Sequence, residues 1–163
     1  MSGDGPPGNP TIAFVGAELE HERERRKTIE ARGAALITTS GSFSTLLLAV
    51  GAVINGSNDF VPTIPLSVSL IVAILLFAAA GVAGILAARP QWYEVADVET
   101  IDQLIGPRWA EDPDTTSRAI TAINRNTLKS LRAGNATMAR IGAVGTWLQL
   151  AAILTLAAGL ILQ

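Results

Sequence analysis

The sequence predicts an all-α membrane protein, three transmembrane helices with a cytoplasmic helical stalk, and three observations predict it. First, the stretches 34–54, 65–88 and 141–162 contain no Asp, Glu, Lys, Arg or His. Each has the ~20 residues that a helix rising ~1.5 Å per residue needs to cross a hydrocarbon core of ~30 Å. Second, hydrophobic residues make up 49% of the 163 residues and charged ones only 16%, with the charge gathered into two segments. Three buried helices of a soluble bundle would need amphipathic neighbours, and too little chain remains to supply them. Third, the cations are sorted. Arg23, Arg25, Arg26, Lys27 and Arg32 precede the first apolar stretch, and the other seven Lys and Arg lie between the second and the third. The positive-inside rule then places the N-terminus and segment 89–140 in the cytoplasm, with loop 55–64 and the C-terminus outside.

Composition removes several function classes. A chain of this length is one compact unit, which excludes a two-domain enzyme. With no Cys there is no disulfide framework, thiolate nucleophile or thiolate metal site, and a single His leaves no imidazole-rich metal centre within the chain. A net charge of −2 argues against a dedicated nucleic-acid binder.

Residues 1–13 read as a disordered tail, rich in Gly, Pro and Asn. The tail lacks a cationic start, so the first span is expected to be a retained anchor and not a cleaved signal. Residues 14–33 form a charged helix with acids ahead of bases, in which Glu22 with Arg26 and Glu24 with Lys27 can pair along the surface. Two readings of it stay open: a solvated juxtamembrane helix, or a site for lipid headgroups or a partner. The helix is expected to run unbroken into the first span, with Gly33 marking a bend or a close contact.

After loop 55–64 and the second span, Arg89-Pro90 should stop the helix, because Pro90 cannot continue the backbone ladder and restricts Arg89. Trp92 and Tyr93 are placed to rest at headgroup depth. A short helix is expected over 98–104, capped by Asp97, then a turn and helix start over 111–116. From there only Gly134 interrupts the helical pattern, so one helix should run through segment 89–140 into the third span, 141–162. Asn124, Leu128, Leu131, Asn135 and Met138 alternate steps of four and three, the spacing of a seam packed on another helix. The charged helix of the same chain is the expected partner, and the two make the stalk.

Within the spans, Thr38, Gly41, Ser42 and Thr45 belong to a polar, uncharged patch that also includes Thr39, Ser40 and Ser44. Gly41, Thr45 and Ala49 recur every fourth residue, as do Ala80, Gly84 and Ala88, and Gly142 and Gly145 lie one turn apart. Such small-residue ridges let helices approach closely. They read either as ordinary packing or as a hydroxyl-lined pore or groove. Gln149, near the middle of the third span, must find a partner, since an unpaired amide in hydrocarbon costs several kcal/mol on the harsher scales, of order ~4–8. The candidates are a Ser or Thr of the first span, or Gln149 of a second copy in a homo-oligomer.

Catalytic chemistry is not expected. No span carries an ionisable group, and no phosphate loop, dinucleotide fingerprint or metal-ligand spacing occurs, so no catalytic residue, cofactor or metal is assigned. His21 sits in the charge run and reads as a surface residue, and Glu111-Asp112 falls in a turn with no pocket to shift its pKa.

The charged helix ending in Glu30-Ala31-Arg32-Gly33-Ala34-Ala35-Leu36, the hydroxyl-rich first span, the short outer loop and the ~50-residue segment feeding the third span resemble the transmembrane effectors of bacterial Pycsar antiphage systems. Those effectors commonly place an acid, a spacer, a base and small residues at the start of the first membrane helix, and Glu30 and Arg32 match this in type. The resemblance implies a non-enzymatic inner-membrane effector that oligomerises and impairs the membrane in response to a cytoplasmic cyclic pyrimidine nucleotide made by a partner cyclase. Arg32, Arg125, Lys129, Arg132 and Arg140, the cations nearest the membrane, would then hold the anion; alternatively they only obey the positive-inside rule. The rival function is a small structural or accessory subunit of a larger membrane complex. In either case membrane lipids are partners.

Overall fold

The computed structural model describes residues 10–56, 63–90, 102 and 113–162. Three helices account for nearly all of them: α1 (Pro10–Gly56), α2 (Ile64–Ala88) and α3 (Pro113–Ile161). No strand occurs among the described residues. All three helices are long and apolar enough to cross a membrane.

Both long helices are continuous, as the scarcity of breakers predicts. α1 carries the charged segment and the first apolar stretch as one helix of 47 residues, and α3 joins the Asn124–Met138 stripe to the third stretch in one helix of 49. α1 starts four residues before the predicted boundary, taking residues 10–13 from the expected tail. α2 ends where Arg89-Pro90 predicts: Arg89 is extended at φ −60° and ψ 133°, the conformation that a following proline favours. Trp92, Tyr93, the helix expected over 98–104 apart from Asp102, and the turn at 111–112 lie outside the described residues.

The chain divides into two compact units, Met1–Lys27 with Pro90–Ala136, and Thr28–Arg89 with Thr137–Gln163. In the first, α1 and α3 pack in parallel: Glu18 meets Arg132 and Glu22 meets Asn135, so both chains advance together. Leu19 and Glu22 of α1 are buried there with Thr127, Leu131 and Asn135 of α3. Of the predicted stripe, Leu131 and Asn135 are buried against α1 and Asn124 and Leu128 are half-buried, while Thr127, outside the stripe, is buried in the same seam. Glu22 is turned into that seam and pairs with Arg25 and Arg132, whereas Glu24 and Lys27 pair on the surface at 2.6 Å as their spacing predicts.

The second unit is a bundle of three helices, with α2 antiparallel to the other two. Gly33 lies against Gly84 and Ala88, and Phe43 stacks on Phe77 with ring centroids 5.2 Å apart. Gly142 faces Ala87, Gly145 faces Ala83, and Gly159 faces Ser69. Leu66, Ala73, Ala80 and Ala87 of α2 are buried, and so are Met138, Gly145, Ala152 and Gly159 of α3. Both sets recur every seventh residue, the period of helices packed by knobs into holes with a left-handed supercoil. Two of the predicted small-residue ridges, Ala80–Gly84–Ala88 and Gly142–Gly145, therefore pack as expected. The third does not: Gly41, Thr45 and Ala49 are exposed, and a methyl group added at Gly41 would meet nothing within 4 Å. Gly41 follows the seam residue Ser40 by one position, which turns it about 100° away from the bundle.

The bundle is apolar outside as well as inside. Leu46, Val53, Ile71, Leu75, Leu154 and Leu160 are each about 60% exposed or more. In the most apolar stretch of α1 only 6% of the residues are buried, and in that of α3 only 17%. Where α1 and α2 cross, their backbones touch. A Cβ at Gly33 would stand 2.9 Å from the Gly84 carbonyl oxygen, and one at Gly84 would stand 2.8 Å from that of Gly33. Gly84→Val is expected to force the two helices apart at a cost of about 1–3 kcal/mol, read as a lower thermal midpoint of the detergent-purified protein, while Gly41→Ala leaves the midpoint unchanged or raises it.

Candidate functional site

Two polar clusters sit in otherwise apolar seams, one in each unit. In the first unit the stripe on α3 turns Asn135 inward, where it is only 1% exposed. Its Nδ2 donates to the Glu22 backbone carbonyl at 2.9 Å and to Glu22 Oε2 at 3.0 Å. Arg132 Nε donates to Glu22 Oε1 at 3.3 Å, and its Nη2 donates to Glu18. The Arg25 guanidinium lies 3.6 Å from the same Glu22 oxygen. A carboxylate out of water is costly unless it is paired and hydrogen-bonded. Burial alone would push Glu22 up; the Asn135 amide, then the charges of Arg25 and Arg132, outweigh it, and the carboxyl sits below its ordinary value of 4.5.

In the second unit Gln149 of α3 takes the same part without charge. Its Nε2 donates to Thr39 Oγ1 at 2.7 Å and Ser40 Oγ at 2.9 Å, with the Leu36 carbonyl at 3.4 Å. The Thr39 hydroxyl in turn donates a hydrogen bond to the Ala35 carbonyl at 2.8 Å. Of the two partners expected for this amide, it is the hydroxyls of the first apolar stretch that take it, within one chain.

The predicted packing or pore residues therefore separate. Gly84 and Gln149 lie in the seam. Thr38, Gly41, Ser42 and Thr45 are exposed, with Thr38 and Thr45 donating to their own helix at the carbonyls of Ala34 and Gly41. Thr39 and Ser40, which meet the amide, belong to the polar patch but were not singled out by the spacing of small residues. The signal that finds Ser40 is the seven-residue step from the buried Gly33.

The cations divide between the units. Arg125, Lys129 and Arg132 belong to the first, and Arg32 and Arg140 to the second. Arg132 is held between two carboxylates, which balance its charge. Arg125, Lys129 and Arg140 are exposed. Arg32 lines a groove of about 580 Å³ between α1 and α3, together with Ile29, Leu36, Met138, Ala143 and Trp147. His21 is exposed, and among the described residues no group of three or more His, Asp or Glu could hold a metal ion.

The Glu22 cluster makes its seam between α1 and α3 acid-sensitive. A carboxyl whose folded pKa is depressed adds stability that is complete above its unfolded value and is lost as the pH falls through the folded value. Circular dichroism on acid titration should show the unit of Met1–Lys27 with Pro90–Ala136 loosening below about pH 4.5. Asn135→Leu should weaken that unit by roughly 1–3 kcal/mol at neutral pH, because Glu22 loses its amide while staying buried, and should flatten the acid limb. Gln149→Leu is expected to cost less, about 0.6 kcal/mol, since Thr39 keeps its bond to Ala35.

No protein-family model, curated protein or solved structure matches the chain, so the roles of these residues rest on the geometry above.

Proposed function

We propose that this chain is a three-span inner-membrane protein, N-terminus in the cytoplasm and C-terminus outside, that acts without catalysis by carrying a cytoplasmic event into the bilayer. Support for insertion comes from the exposed side chains. An apolar exterior of this extent on a water-soluble monomer would far exceed the few hundred Å² normally left uncovered, whereas in lipid it is the required surface. The cation asymmetry supports the orientation.

The observation that carries the functional reading is the continuity of α1 and α3. Each is one unbroken helix holding both a charged stalk sequence and an apolar stretch. An unbroken helix joins the sequence that carries the Glu22–Asn135–Arg132 seam to an apolar stretch without an intervening loop. This is what a membrane effector needs. The event is a cytoplasmic anion, of which a cyclic pyrimidine nucleotide is the leading candidate, and the exposed Arg125 and Lys129, four residues apart on one helix face, are where its phosphate is held. Several copies then act together to impair the membrane.

A second reading, an accessory subunit of a larger complex, is favoured by the outward ridge of Gly41, Thr45 and Ala49, which is free to receive another helix. The two part in one experiment. Bacteria expressing the chain are followed with a membrane-potential dye with and without a cyclic pyrimidine nucleotide. The effector reading expects depolarisation that needs the nucleotide and is lost in Asn135→Asp, which sets a second carboxylate against Glu22. Unchanged potential under every nucleotide, together with a co-purifying partner lost in Gly41→Leu, would establish the accessory role instead. Recovery of the chain in the soluble fraction without detergent would overturn both.

A further inference from the structure

The groove between α1 and α3 in the unit of Thr28–Arg89 with Thr137–Gln163 is not needed for spanning the membrane or for the stalk seam. Its volume of about 580 Å³ falls among the roughly 300–1,000 Å³ of cavities that hold small ligands. Ile29, Leu36, Met138, Ala143 and Trp147 give it apolar walls. The hydroxyls on those walls are spent on their own helices, Thr39 on the Ala35 carbonyl and Thr146 on the Gly142 carbonyl. The Gln149 amide is taken by Thr39 and Ser40. The charged group on the wall is Arg32, and among the described residues it has no ion pair or hydrogen-bond partner.

The depth of the groove identifies its occupant. Its lining runs from Ile29 to Thr39 on α1 and from Met138 to Gln149 on α3, a rise of about 15 Å at ~1.5 Å per residue. Beyond Arg32 the α1 lining rises about 10 Å, to Thr39, which is about two thirds of one leaflet of a ~30 Å core. An apolar slot of that depth, with an unpaired guanidinium at its cytoplasmic end, matches the upper part of one acyl chain with its phosphate at the guanidinium. We infer that the groove binds an anionic phospholipid of the cytoplasmic leaflet, with one acyl chain between α1 and α3 and the headgroup phosphate on Arg32. The guanidinium supplies paired N–H donors to phosphate oxygens. A free nucleotide fits poorly, because its base and sugar would set polar groups against Leu36, Met138 and Ala143, which offer them no partner. The inference rests on the three-span reading.

The test uses the full chain in zwitterionic nanodiscs carrying a small fraction of a phospholipid with a diazirine on its acyl chain, the headgroup being either phosphatidylglycerol or phosphatidylcholine. After irradiation the labelled peptides are identified. The peptide holding Ala143 and Trp147 is expected to be labelled on the order of tenfold more by the anionic probe, the factor that one charge-assisted hydrogen bond supplies. Arg32→Gln should bring the two probes to parity there, and Ala143→Trp, which fills the groove and leaves Arg32 in place, should lower labelling by both. The outward face of α2 around Ile71 and Leu75 should be labelled alike by both probes in every protein, which also shows that the variants are inserted. An unlabelled α2 would overturn the three-span reading itself. A labelled α2 with equal labelling of the groove by both probes in the unaltered chain would overturn the lipid site alone. So would crosslinking of Ala143→Cys to its own copy, since the chain has no other cysteine, or displacement of the anionic probe by a free cyclic nucleotide.

Discussion

Two side-chain amides in the helix seams, Asn135 buried and Gln149 half-buried, set the register of this protein. Asn135 and Gln149 stand on the inward face of α3, and neither can be left without an acceptor in an apolar seam, where an orphaned amide costs about 1–3 kcal/mol. Each finds its acceptors on α1 at the same offset: Asn135 meets Glu22 and Gln149 meets Leu36, both pairs 113 residues apart in sequence. A small-residue seam by itself tolerates sliding, because one alanine replaces another at little cost. An amide does not, since a shift of a single turn removes its partners. Polar residues at seam positions elsewhere fix helix register at some expense of stability, and here the same device is used once in each unit.

The apolar faces are handled by a different principle. Where lipid tails are as apolar as leucine, burying leucine gains little, and helices associate through close packing and hydrogen bonds. The seam of the three-helix unit is accordingly built from Gly33, Ala73, Ala80, Gly84, Gly145 and Ala152, while the large residues Leu46, Ile71, Leu75 and Leu154 face outward. Leu36, Leu66, Met138 and Phe77 are exceptions, and Phe77 is fully buried and stacked on Phe43.

The helices were legible in the sequence because their breakers and their lengths are unambiguous: Arg89-Pro90 ends α2, and nothing stronger than Gly134 interrupts α3. The seam of the first unit was legible in part, since Leu131 and Asn135 mark its face, whereas the buried Thr127 did not stand out from its polar neighbours. The inward face of the first apolar stretch was not. Thr38, Thr39, Ser40, Gly41 and Ser42 are consecutive and nearly alike in size and polarity, so a ridge of period four could be drawn through Gly41 as readily as one through Ser40. What decides the phase lies outside that stretch, in the step of seven from Gly33 and in the reach of Gln149. Glu22 was misplaced for a related reason. Its i+4 neighbour Arg26 makes a plausible surface pair, and only Asn135, distant in sequence, gives a carboxylate reason to turn inward.

The two polar clusters also show how one seam changes its chemistry with its surroundings. In the unit with Glu22 the seam residues are charged, and Arg25, Arg132 and Glu18 stand around the buried carboxylate at the exposed rim. Such a network is affordable where water solvates its outer members, since Arg132 remains half exposed. At the centre of a membrane helix an Asp, Lys or Arg costs roughly 2.5–3.5 kcal/mol even on the lenient insertion scales, and the same seam position in the second unit holds the neutral Gln149 with two hydroxyls. Arg32 is the last cation of α1 before the uncharged stretch begins. The change from ionic to neutral pairing thus falls where the uncharged stretch of α1 begins.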